Sequence, residues 1–178
     1  MKPESVTIRR GTSRDVTFLS QMLYEAAFWR PDRPRSSMNE GLADPHLSRY
    51  ITRWGRSGDT AVVPLDDRGQ PIGAAWYRLF TDEPGYGFID SSTPEVSMAV
   101  VEEHRGLGIG RALLNSLIPT ATSEGFTALS LSVEQDNPAV ALFESVGFMS
   151  ARLENNAWTM WLNLTAEQSD SKTNHVTE

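Results

Sequence analysis

The sequence predicts an α/β fold of the mixed α+β kind, one sheet with helices on its faces. Three observations carry this. Short alternating apolar runs stand among segments of helical period. Glycine, proline and asparagine clusters punctuate them. The resulting order, β-α-α-β-β-β-α-β-α-β-β, interleaves the two element types in one layered unit.

Val6–Arg9 alternates as a first strand, and Thr12-Ser13-Arg14-Asp15 offers caps for a helix reaching about Phe28, with Val16, Leu19, Leu23 and Ala26 on one face. Two prolines between Trp29 and Pro34 break it, and Asp44-Pro45 opens a second helix expected over His46–Trp54. Ala61–Leu65 and Ile72–Tyr77 flank the turn Asp66–Pro71 as a hairpin. Arg78–Pro94 reads as a long aromatic-containing loop before a strand over Glu95–Val101. Gly108–Glu124 repeats Ile109, Leu113, Leu117 and Ala121 at helical spacing, with Pro119 expected to kink its last turn or end it early. Leu129–Val133 is a strand, Pro138–Val146 a helix closed by Gly147, and Phe148–Leu153 pairs with Trp158–Leu164 across Asn155-Asn156.

The 178 residues suit one domain, placed at 1–164, with 165–178 a polar tail expected to be disordered. With no cysteine, disulfides, a thiolate nucleophile and thiolate-held metal are excluded. A net charge of −7 argues against nucleic acid as partner. No apolar run approaches membrane-spanning length and no leader pattern opens the chain, so a cytoplasmic location is expected. His46, His104 and His175 stand far apart without ligand spacing, so no metal is expected.

The strongest local signal is Arg105-Gly106-Leu107-Gly108-Ile109-Gly110-Arg111, between a strand and a helix. Glycines let backbone approach a ligand closely, a helix start favours an anion, and Arg105 and Arg111 add matching charge. A Walker loop fails because Arg111-Ala112 stands where Lys and Ser or Thr are needed. A dinucleotide fingerprint begun at Gly106 fails because its sixth position is Arg111.

The pattern Arg-x-x-Gly-x-Gly over Arg105–Gly110 is similar to the coenzyme A pyrophosphate loop of the GNAT superfamily of N-acetyltransferases. Glu95–His104 resembles that family's fourth strand, and Asn137–Phe148 its second cofactor motif, in register with the loop. The resemblance implies a central, mostly antiparallel sheet flanked by helices and acetyl-coenzyme A as cosubstrate, with no metal. It implies that the main chain of Met98, Ala99 and Val100 pairs with the pantetheine arm. Residues Gly106 to Arg111 would hold pyrophosphate, Asn137 would bond the coenzyme near its sulfur, and Phe143 would pack beside the thioester. Asn137 reads equally as a helix cap. Glu95 is the candidate base for an amine acceptor of a small molecule or protein, and reads equally as an exposed strand-end charge. Many relatives carry Tyr where Phe143 stands, so the customary acid is missing. That departure motivates a second reading, a coenzyme A-binding sensor or scaffold without chemistry. Trp29 and Tyr86 are the candidate acceptor contacts, Trp76 is assigned to the core, and a homodimer is compatible with the family.

Overall fold

In a computed structural model, which describes residues 6–165, seven strands form one sheet in the order β1-β2-β3-β4-β5-β7-β6. The strands are β1 Thr7–Arg10, β2 Thr60–Leu65, β3 Gly73–Arg78, β4 Glu95–Val100, β5 Ala128–Glu134, β6 Met149–Glu154 and β7 Ala157–Asn163. Every neighbouring pair is antiparallel except β4 and β5. The helices are α1 Val16–Ala27, α2 Met38–Leu42, α3 Pro45–Ser48, α4 Ile109–Ser123 and α5 Ala139–Ser145. The expected order of elements is present, with one added helix. His175 and nearly all of the tail 165–178 lie outside the described residues.

Alternation along the strands builds a core on each face. One face carries Val62, Ala75, Tyr77, Val96, Leu129 and Leu131 against Ile109, Leu113, Leu117 and Ala121 of α4. The other carries Ala61, Ala74 and Trp76 against Leu19, Met22 and Leu23 of α1. Val16, expected on the buried stripe of α1, is exposed instead, and Met22 takes its place. The β6–β7 turn is set by Asn155 and Asn156, both with positive φ (48° and 68°), as a tight right-twisting hairpin requires.

Three expectations change. Helix α2 was not anticipated, although Ser37 and Glu40 form a capping box in which each side chain bonds the other's backbone. The helix expected over His46–Trp54 is only the short α3, followed by turns. Arg53 adopts φ 54°, which stops helix propagation, and the carbonyls of Arg49, Tyr50 and Thr52 accept from side chains of β3. Pro119 does not end α4, which runs on to Ser123. Proline removes one donor, and here buried Leu117 and Ala121 hold the last turns to the sheet.

Candidate active site

The sheet is open at its centre. Strands β4 and β5 pair at a single register position, Glu95 with Ser130, where Ser130 N–H donates to Pro94 O at 3.0 Å. Beyond that point β4 has a partner on one side only. Its antiparallel partner β3 fixes which peptide groups are free. Val101 N–H bonds Ile72 O at 2.9 Å, so antiparallel alternation turns Ala99 toward β3 and Met98 and Val100 toward the gap. The expectation that Met98, Ala99 and Val100 all offer main chain there is therefore corrected. Ala99 faces its register partner Ala74.

The glycine loop closes the outer end of this gap. Gly106 and Gly108 have φ of 75° and 84°, a region that a β-carbon disfavours. Gly110 is needed for a different reason: a β-carbon there would meet Leu142 Cδ2 at 2.9 Å and Met98 Cε at 3.2 Å. Gly108 is the N-cap of α4 and supplies no side-chain cap, so the first-turn N–H groups remain available to an anion. Leu107 is exposed and Ile109 buried, anchoring the loop on one side. Neither arginine extends freely from the loop. Arg105 donates from Nε to Val100 O at 2.9 Å and pairs with Glu25 of α1 at 3.1 Å. Arg111 donates to Ser145 Oγ of α5 at 2.8 Å.

Glu95 sits where β4 and β5 part, and it is not the exposed charge that its strand-end position allowed. It is 2% exposed. Its Oε1 accepts from the Tyr50 hydroxyl and from Gly87 N–H at 2.7 Å. Among the described residues Oε2 has no hydrogen-bond partner, and neither has Oγ of Ser130, its register partner. Burial pushes the carboxyl up to about 7, against the opposing effects of Tyr50, Gly87 N–H and Arg49. Tyr50, also buried, is raised well above the usual phenol range by desolvation and then by Glu95.

The loop after β3 covers this acid. A β-carbon on Gly85 would fall 2.1 Å from Glu95 Oε2, and one on Gly87 would fall 2.4 Å from the Leu131 carbonyl carbon. Tyr86 is exposed, stacks on Tyr50 at 6.1 Å and bonds its hydroxyl through the backbone N–H at 2.7 Å. Sequence reasoning missed Tyr50, because its only local signal was an aromatic in a segment taken for helix.

These features are a free strand edge, an uncapped glycine loop and a buried carboxylate, all between the same two strands. The chain matches the acetyltransferase (GNAT) family over residues 23–148. It belongs to that family. An L-methionine sulfoximine/L-methionine sulfone acetyltransferase of Pseudomonas paraeruginosa is 32% identical over 117 residues, 64% of this chain and 66% of the relative, just under two thirds of its length. An L-2,4-diaminobutyric acid acetyltransferase of Nocardia farcinica is 29% identical over 147 residues, 81% of this chain and 68% of that one. Among solved structures, a GNAT superfamily phosphinothricin acetyltransferase of Sinorhizobium meliloti, in complex with acetyl-coenzyme A, superposes with TM-score 0.63 at 23% identity. That superposition covers 89% of this chain and 88% of the other, and supports the same fold.

Asn137 caps α5, its Oδ1 accepting from Ala139 N–H at 2.9 Å. Phe143 is buried in the core and meets Phe148 edge-on at 5.8 Å. Trp29 follows α1, and its Nε1 donates to Glu134 of β5 at 3.0 Å. Arg30 donates to the same carboxylate oxygen at 2.8 Å and lies over the Trp29 ring. They line a cleft of about 200 Å³ with Phe28, Arg33 and Arg35. Its cations are largely matched: Arg30 pairs with Glu134 and Asp136, and Arg35 with Glu25. Trp29 thus packs against Glu134 of β5, whereas Tyr86 stacks on Tyr50. His104 lies half-buried in the 3-10 turn Glu102–His104. No helix among the described residues is long and apolar enough to cross a membrane.

Proposed function

We propose that this chain is an acetyl-coenzyme A-dependent N-acetyltransferase that moves acetyl directly to a primary amine of a small molecule or protein. The observation that carries this is the one-pair contact of β4 and β5, which leaves the Met98 peptide group and the Val100 N–H beside the glycine loop with Glu95 at the apex, the Val100 carbonyl being held by Arg105. An acyl-pantetheine arm is a chain of amides, and a free strand edge is its natural partner. In this reading Met98 and Val100 bind the arm, the N–H groups of Gly106 to Arg111 hold pyrophosphate, and Phe143 packs near the thioester. The small-molecule acceptor is supported by the names of the relatives, which act on amine-bearing amino acids.

The amine nitrogen attacks the thioester carbonyl, the C–S bond breaks, and coenzyme A leaves as thiolate. The amine's proton passes through water to Glu95 Oε2, the oxygen without a hydrogen-bond partner among the described residues. A base that titrates near neutrality suits this task, and the Val100 N–H suits the developing oxyanion. Phe143 donates no proton, and none is required for departure, because a thiol with a pKa of about 8.5 is an adequate leaving group. The test is a panel of amines with acetyl-coenzyme A, followed by thiol release, with Glu95→Gln applied to any acceptor found. Activity unchanged in Glu95→Gln would remove the base assignment.

Phe143 and the enclosure of Glu95 favour one alternative, a coenzyme A sensor or scaffold of the same fold. Calorimetric binding of acetyl-coenzyme A with no turnover across the panel is its signature.

A further inference from the structure

Tyr50 and Glu95 are 45 positions apart, and Tyr50 stands in a turn where the sequence pattern called for helix. The carbonyls of that turn are held by β3. Arg78 Nη1 donates to Arg49 O at 2.6 Å and to Thr52 O at 2.9 Å. Trp76 Nε1 donates to Tyr50 O at 3.3 Å. Trp76 and Arg78 are two apart on a strand and so share a face. Glu95 is the register partner of Arg78 and lies on that face too.

An arginine beside a carboxylate ordinarily pairs with it. Arg78 does not, because each of its nitrogens is engaged elsewhere. Its Nε and Nη2 meet the two oxygens of Asp59 at 2.8 and 2.6 Å, and Nη1 holds main chain. The side chain has no exposed surface and Asp59 has 1%. Trp54 covers the guanidinium at 5.5 Å. Asp59 in turn accepts from the N–H groups of Gly55 and Arg56, so the whole segment from Arg49 to Asp59 is tied to one cation.

We infer that Arg78 is a positioning residue for Glu95: anchored by Asp59, it grips the carbonyls on either side of Tyr50 and thereby sets the Tyr50 hydroxyl on Glu95 Oε1. The inference rests on the reading of Glu95 as the base. The groups facing Glu95 are Arg78 from β3, Tyr50 and Arg49 from the turn after α3, and Tyr86 from the covering loop, while β5 offers uncharged Ser130. A hydroxyl donated to a carboxylate favours the ionised form. Loosening Tyr50 therefore raises the pH at which Glu95 ionises, without altering the charges around it.

The experiment follows the carboxyl itself. Full-length chain labelled with ¹³C at the glutamate side-chain carboxyl is titrated by NMR, and the Glu95 signal is the one absent from Glu95→Gln. Wild type is expected to titrate at about 7. Arg78→Lys, which keeps the charge but cannot hold Asp59 and two carbonyls together, is expected to raise that midpoint by roughly one pH unit. Tyr50→Phe is expected to do the same, and the two changes together to do no more than either alone. The paired variant Asp59→Asn with Arg78→Met leaves no unpaired buried charge and keeps an acceptor for Gly55 and Arg56 N–H. It covers the case in which Arg78→Lys does not fold; because it also removes the cation beside Glu95, it is read with and without Tyr50→Phe, and adding Tyr50→Phe is expected to move its midpoint no further. A merely structural Arg78 would lower the melting temperature and leave the midpoint in place. An unchanged or lowered midpoint, or shifts that add to that of Tyr50→Phe, overturns the inference. Full turnover in Glu95→Gln would instead overturn the base assignment, leaving the result on Arg78 readable by itself.

Discussion

The Tyr50 hydroxyl donates to Glu95 Oε1 in the interior, joining a turn of the helical layer to the strand that borders the open gap. Gly87 N–H completes that oxygen's partners at 2.7 Å, while Oε2 has none among the described residues. One oxygen is thus fixed by two donors, and the other, covered by Gly85, keeps its lone pairs unengaged among the described residues. Under the proposed function, this division lets the carboxylate keep its orientation while it takes a proton.

The pH dependence of Glu95 follows with a definite sign. Its ordinary value of 4.5 is raised to about 7 by burial, so the carboxyl is mostly ionised only above that point. The acceptor kcat/KM should rise about tenfold per pH unit below the midpoint and level off above it. Glu95→Gln should lower kcat by roughly 10²-fold or more. Stability moves the opposite way. Between 4.5 and about 7 the folded chain keeps a proton that the unfolded chain has released, so stability falls as pH rises through that window, by at most roughly 3 kcal/mol. Thermal melts of wild type against Glu95→Gln across those pH values measure this slope, which the variant should lack.

Gly108 tests the loop. With φ at 84° and no atom within 4 Å of a β-carbon, Gly108→Ala meets backbone strain rather than a clash, at a cost of about 1–2 kcal/mol. Gly125, at the far end of α4 with φ 90° and equally open space, provides the control. Both alanine variants should melt at lower temperature. Only Gly108→Ala should weaken acetyl-coenzyme A binding, by tenfold or more in calorimetry. Equal affinity in the two variants would detach the loop from the coenzyme.

Pro119 is an interior helix proline on the exposed side of α4. Pro119→Ala restores an N–H to the helix, a gain of up to about 3 kcal/mol, partly offset by the freer unfolded chain. A net increase of about 1–2 kcal/mol should appear as a melting point several degrees higher. Coenzyme affinity should not change.

Asp15 ties the first strand to α1. The hydrogen bond from Arg9, ahead of the other contributions, lowers its carboxyl from 3.8 to about 2. Its stabilisation is therefore present above 3.8 and lost as pH falls toward 2. Because Arg9 is partly exposed, the contribution is about 1 kcal/mol. Wild type and Asp15→Asn should differ in melting temperature at pH 7 and converge in acid.

Local signals in the sequence determined most of the architecture. Alternation placed the strands, the Ile109–Ala121 repeat placed α4, and Asn155-Asn156 set the last hairpin, because these depend on neighbours within a few residues. The glycine loop was legible for the same reason: its positive-φ positions and its helix start are adjacent in the chain. Glu95 was visible as a residue but not as an environment. Its burial comes from Tyr50, Gly85 and Gly87, which lie outside its own strand, and no period in the sequence records that meeting. The failed helix after Ser48 has the same origin, since side chains of β3 take the carbonyls that a helix needs. The sequence by itself determined the elements and the glycine loop, through local backbone preference. Only tertiary packing decided that Met98 and Val100 face the gap while Ala99 does not, and that a strand-end glutamate is a buried acid, because strand register and desolvation both depend on residues distant in the chain.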